Sequence, residues 1–243
     1  MNKFLFLITI ILLVACSPSP QANQTAIANT RTAWTPVPTQ TTYSTYTPLP
    51  IIMITPAFSD VPVGNWEWTW VETLYKNGVT TGCSTDPLNY CPEQSVTRAQ
   101  MAVFLERGMH GSIYTPPHGT GAVFADVQPS HWAVDWIEHL YADGITTGCQ
   151  TFPLSYCPES PLTRAQAAIF LLRARHGVAY TLPAVSGSTG FNDVSTNYWA
   201  AAWIKQLAAE GITSGCGGGN YCPDDSVTRA QMAKFLVLTF NLP

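Results

Sequence analysis

The sequence predicts an all-α protein built from three helix–loop–helix repeats, and three observations predict it. The run VTRAQMAVFL (Val96 to Leu105) returns as LTRAQAAIFL (Leu162 to Leu171) and as VTRAQMAKFL (Val227 to Leu236). Phe58, Phe124 and Phe191 each open a Phe-x-Asp-Val motif, spacing the units 66 to 67 residues apart. Apolar residues then recur at helical intervals, as at Trp132, Trp136, Ile137, Leu140 and Tyr141. A chain of 243 residues permits one to three units by length alone, and the recurrence decides for three: 58–112, 124–178 and 191–243.

Ahead of the repeats, residues 1–15 carry one lysine and an eleven-residue stretch from Phe4 to Val14, too short to span a bilayer and suited to a signal peptide. Leu13-Val14-Ala15-Cys16 resembles the lipobox of bacterial lipoproteins, which implies lipidation at Cys16; an ordinary cleaved signal is the alternative. Residues 17–57 hold ten threonines, seven prolines and a single charged side chain, Arg31. With Cys16 they form a segment, 16–57, that cannot build a core and reads as an extended, disordered stalk.

Each repeat begins with an amphipathic helix led by Trp66, Trp132 or Trp199, expected to stop at Gly78, Gly144 or Gly211, where glycine takes the left-handed closing turn. A loop follows, flanked by Cys83 and Cys91, Cys149 and Cys157, or Cys216 and Cys222. In an exported protein these local pairs most simply form disulfides, each stabilising by about 2–3 kcal/mol through loop closure. Zinc is the competing reading, but no CxxC knuckle and no histidine within the loops supports it. The second helix opens on Thr97, Thr163 or Thr228 with glutamine three residues later, a capping box. Val96 with Met101, and Val227 with Met232, supply the hydrophobic staple. Beyond the box the helix is apolar nearly all round, so the three second helices should pack together with the first helices outside.

Arg98, Arg164 and Arg229 then stand at the first helical position, where the helix dipole disfavours a cation by some tenths of a kcal/mol. A solvated arginine, or one paired with Asp60, Asp126 or Asp193, is the bland account. Threefold recurrence favours another: a guanidinium beside helix N–H groups binds a carboxylate or phosphate.

These motifs in this order, Phe-x-Asp-Val, the Trp-led helix, the Gly-Ile-Thr-x-Gly turn and the Thr-Arg-Ala-Gln start, resemble three consecutive S-layer homology (SLH) repeats over residues 58–243. The resemblance implies a pseudo-threefold helical bundle. It also implies noncovalent attachment to cell-wall polysaccharide or a peptidoglycan-linked polymer, often one bearing pyruvate ketals. Carried over by motif, the implied ligand residues are Arg98, Arg164 and Arg229; Asp60, Asp126 and Asp193; Trp66, Trp132 and Trp199; and Gly82, Gly148 and Gly215. The chain departs from the family in two respects. Glutamine (Gln100, Gln166, Gln231) replaces the family glutamate, keeping the capping bond and removing a negative charge. The paired cysteines are not general to the family.

In NWEWTW, Trp66 and Trp70 fall on one helical stripe, expected to be buried, while Trp68 points off it; such an aromatic more often packs under a loop, with sugar stacking the other reading. The histidines, His110, His118, His131, His139 and His176, are read as non-equivalent, with no shared catalytic or metal role. No nucleophile elbow, phosphate loop or HExxH motif is present, and no Lys/Arg cluster suggests nucleic acid at a net charge of -4. The sequence therefore reads as a non-enzymatic surface protein without cofactor or metal, lipid-tethered at one end and gripping an anionic wall glycan at the other. The alternative is a module that docks another envelope protein.

Overall fold

The computed structural model describes residues 55–243. The expected signal peptide, Cys16 and nearly all of the expected stalk lie outside the described residues. Three units follow one plan. The first contains α1 (Trp68–Lys76), a hairpin of β1 (Ser84–Thr85) and β2 (Leu88–Asn89), and α2 (Arg98–His110). The second contains α3 (Val134–Ala142), β3 (Gln150–Thr151), β4 (Leu154–Ser155) and α4 (Arg164–His176). The third contains α5 (Ala201–Ala209), a Gly217–Asn220 bridge in place of the hairpin, and α6 (Arg229–Phe240).

The first helices end as expected. After α1 the Gly78 amide donates to Tyr75 and the Val79 amide to Leu74, the paired bonds of a Schellman motif, with Gly78 at φ 68°. Gly144 with Ile145 and Gly211 with Ile212 repeat the pattern. Val79 and Leu74 are both buried, supplying the apolar contact that accompanies such an ending. The loops are closed by Cys83–Cys91, Cys149–Cys157 and Cys216–Cys222.

The second helices start on complete capping boxes: Thr97, Thr163 and Thr228 accept from the amide three residues on, and the glutamine side chains reach back. Just before each cap, the chain runs through the molecular centre. Val96 donates to the Val227 carbonyl (2.9 Å), Val227 to Leu162 (2.9 Å) and Leu162 to Val96 (2.8 Å). This closed triangle of backbone bonds defines a pseudo-threefold axis, and all three side chains are fully buried on it. Around the axis α2, α4 and α6 contact one another, forming the central layer.

The outer helices do not pack on their own units. Instead α3 lies on α2, α5 on α4, and α1 on α6, which closes the ring. No unit can therefore bury its apolar stripe alone; the bundle folds as three interlocked parts sharing one core. Replacing a single cap, Thr163→Ala, removes one helix-start acceptor from this shared core. It is expected to cost about 1 kcal/mol in denaturant unfolding, in one cooperative transition rather than a separate loss of the second unit.

Candidate functional site

Each helix-start arginine reaches across a unit boundary. Arg98 Nε donates to the Tyr156 carbonyl, Arg164 Nε to Tyr221 and Arg229 Nε to Tyr90, all at 2.7 Å. The same tyrosines answer: each hydroxyl donates at 2.8 Å to the backbone carbonyl of the arginine it receives. The guanidinium lies over that tyrosine ring, 4.7–4.8 Å from its centroid, and 5.4–5.6 Å from the ring centroid of Phe170, Phe235 or Phe104. Burial pulls all three guanidinium pKa values down and pushes the three tyrosine phenols up.

The arginines are 3% exposed and make no salt bridge among the described residues. In each, the Nη2 atom is buried without a hydrogen-bond partner. An unmatched buried donor on a cation is costly, and the cost falls when an acceptor arrives.

The expectation of free helix amides is corrected here. At the start of α2 the amides of Arg98 and Ala99 donate to Ser160 and Pro158 of the next unit, and that of Gln100 to the Thr97 hydroxyl. The other two helices are satisfied likewise. The neighbouring loop occupies the dipole end, so the helix amides are spent and the guanidinium is the group at the helix start that is left with an unmatched donor.

The recurring aspartates have a different position from the one the motif implied. Asp60 accepts the amides of Tyr90 and Cys91 with its two oxygens, both at 2.7 Å; Asp126 and Asp193 hold Tyr156–Cys157 and Tyr221–Cys222 in the same way. Those cysteines sit at φ 57–58°, so successive amides converge on the carboxylate as an anion nest. The aspartate thus fixes the peptide whose carbonyl receives the arginine, and none of the three lines a groove that holds one of these arginines. The glycines are structural as well as groove-lining. Gly148 lies at φ 89°, and a Cβ there would stand 2.4 Å from the Ser155 carbonyl oxygen and 3.2 Å from Phe124.

Three grooves result, each assembled from three units. One, of 340 Å³, joins the Thr80–Cys83 turn and Gln100, Phe104 and Arg107 of α2 to Trp132 of the second unit and Arg229 of the third. A second, of 260 Å³, joins the Thr146–Cys149 turn, Gln166 and Arg173 to Trp199 and Arg98. The third, of 220 Å³, joins the Thr213–Cys216 turn, Gln231 and Lys234 to Trp66 and Arg164. Arginine, tryptophan and glycine are brought together, but never from the same repeat.

Trp66, Trp132 and Trp199 are 58–60% exposed at the groove rims. This overturns the buried stripe assigned to Trp66: α1 starts only at Trp68, so Trp66 lies in the preceding turn, outside helical periodicity. Trp68, a candidate for sugar stacking whose alternative was packing under a loop, packs partly buried against the core, as does Trp70.

A second cation per groove was missed by the sequence reading. Arg107 lies over Trp136 at 5.3 Å, Arg173 over Trp203 at 5.6 Å and Lys234 over Trp70 at 5.8 Å. The signal existed only in part, since Lys234 sits one helical turn earlier in its unit than Arg107 and Arg173 do in theirs. Tyr90, Tyr156 and Tyr221 were visible as a recurring Tyr-Cys-Pro motif but had been given no role.

Fold and grooves together define a disulfide-stapled helical repeat module with three equivalent, cation-lined surface clefts. Residues 190–233 match the S-layer homology domain family. The chain is similar to S-layer protein EA1 of Bacillus anthracis, 30% identical over 135 residues, 55% of this chain and 15% of that protein. It is similar to an endoglucanase of a Bacillus species, 31% identical over 118 residues, 49% of this chain and 12% of that one. It also resembles the cellulosome-anchoring protein of Acetivibrio thermocellus, 34% identical over 83 residues, 32% and 18% of the two chains. The matched stretches thus span less than one fifth of these relatives.

The glycine geometry carries its own test. Gly148→Ala forces a β-carbon into the left-handed region and against a backbone oxygen, at a cost of about 1–3 kcal/mol from the backbone alone. The melting temperature should drop accordingly; an unchanged melting curve would contradict the placement of that turn.

Proposed function

We propose that this chain attaches noncovalently to the bacterial cell wall or surface layer by binding an anionic glycan in its three grooves. The rim indoles Trp66, Trp132 and Trp199 stack on sugar rings. Arg98, Arg164 and Arg229, seconded by Arg173, Lys234 and Arg107, meet the acidic substituent, a pyruvate ketal among the candidates. The observation that carries the reading is a buried guanidinium with an unpartnered Nη2, found three times beside an exposed tryptophan. The names of the relatives, S-layer and cellulosome-anchoring proteins, support a place at the cell surface. All three units act as SLH repeats in this reading, and the N-terminal segment delivers the chain to the membrane through a lipid on Cys16.

Gln100, Gln166 and Gln231 line the grooves with an uncharged amide, so an acidic ligand meets no fixed carboxylate there. Since the helix-start arginines also hold the units together, their alanine variants would confound binding with folding. The exposed tryptophans make the cleaner probe. The Trp66→Ala, Trp132→Ala, Trp199→Ala triple variant should keep its melting temperature and lose at least tenfold in retention on purified, protein-free wall material. Mild acid removal of ketal groups from that material should weaken retention of the unaltered chain. Binding that disappears when wall proteins are stripped would instead identify a protein-docking module and overturn the glycan reading.

A further inference from the structure

Where α3 lies on α2, four titratable side chains converge at the shared C-terminal end of the pair. Glu106 and His110 are four residues apart on α2; His139 and Asp143 are four apart across the end of α3, so each pair shares one helix face. Glu106 Oε2 is 2.9 Å from His139 Nδ1 and 3.4 Å from His110 Nε2. Asp143 Oδ2 is 3.4 Å from His110 Nε2 and 3.6 Å from His139 Nδ1. All four ligand atoms lie within 4.8 Å of one another.

Glu106 is fully buried, and its Oε1 has no hydrogen-bond partner. At the two equivalent junctions the position is apolar, Leu172 on α4 and Val237 on α6. Gln206 replaces His139 at the α4–α5 junction, where Glu210 is instead engaged by Arg175 and His176. The α6–α1 junction has Thr73, Asn77 and Asn241. The reading of the histidines as non-equivalent is corrected by the same comparison: His110 and His176 both end a second helix. Only one of them faces a second imidazole and a buried carboxylate.

We propose that Glu106, His110, His139 and Asp143 form a binding site for one divalent transition metal, zinc being the best fit. Two imidazoles with two carboxylates suit zinc in tetrahedral coordination. Metal–ligand bonds of about 2.0–2.1 Å place tetrahedral ligand atoms ~3.3–3.4 Å apart, and the four inter-helix and i,i+4 separations above bracket that value. The Tyr114 hydroxyl packs against the same imidazole, 2.9 Å from His139 Nε2 and 3.2 Å from Nδ1. Bound there, the ion clips the second unit's outer helix to the first unit's inner one, at a single junction of three. The disulfide-loop cysteines, which also group with Asp60, Asp126 and Asp193, have no thiolate to offer and make no competing site.

The test is titration of the EDTA-treated full chain, disulfides intact and carrying Cys16→Ser, with zinc sulfate by calorimetry and with cobalt(II) chloride by visible absorption. The expected result is one equivalent of zinc, an intense tetrahedral cobalt spectrum displaced by zinc, and a zinc-dependent rise in melting temperature. His110→Ala, His139→Ala and Glu106→Gln should each weaken binding at least tenfold, while His176→Ala leaves it unchanged. His139→Ala, which alters a partly exposed side chain, serves as the decisive variant if Glu106→Gln fails to fold. Absence of stoichiometric binding, or binding that the His110→Ala, His139→Ala double variant retains, would overturn the proposal.

Discussion

A guanidinium buried between repeats is the constraint on which the rest of this structure depends. Arg98 leaves the start of α2, crosses into the second unit, and donates to the carbonyl of Tyr156, whose hydroxyl donates back to the arginine's own carbonyl. Two further copies close the cycle through Tyr221 and Tyr90. The tyrosine peptide must be held still to receive this bond, which explains the aspartate whose two oxygens grip it. The loop must also pass close under Phe58, Phe124 or Phe191, which explains the glycine where no β-carbon fits.

Under the proposed function, the latch also couples assembly to recognition. Hydrogen bonds to the tyrosine carbonyl and contact with two aromatic rings offset part of the cost of burying a cation, yet no described carboxylate pairs with it and Nη2 is left over. Replacing such a group by a neutral side chain would relieve that cost in an isolated bundle. In the proposed reading, the same unmatched donor at the three grooves meets an acceptor that arrives from outside. Because each groove draws its arginine, its turn and its indole from different units, only the closed ring presents a complete site.

Much of the fold was legible in the sequence because it is written in local chemistry: threonine and glutamine three residues apart, glycine two residues past a helix end, cysteines flanking one loop. Those signals survive without tertiary context. The partner of each outer helix was not legible, since an apolar stripe specifies that it will be covered and not by which neighbour. Trp66 was misplaced because helical periodicity was extended two residues beyond the true start of α1. The helix-start amides were expected to be free because a neighbouring unit's loop carbonyls cannot be seen from within one repeat. The convergence of His110 and His139 escaped for a related reason: the residues lie in different units, and a search for recurrence passes over what occurs once.

In the proposed function, the leftover guanidinium N–H receives the acidic ligand. Nitrogen-15 NMR of the arginine side chains, with an acidic wall-glycan fragment titrated into the full chain, observes those atoms directly. Saturable shifts are expected in the Nη signals of Arg98, Arg164 and Arg229 while their Nε signals, bonded to tyrosine carbonyls, move little. Saturation of the rim indole signals with all three Nη signals unmoved would contradict it.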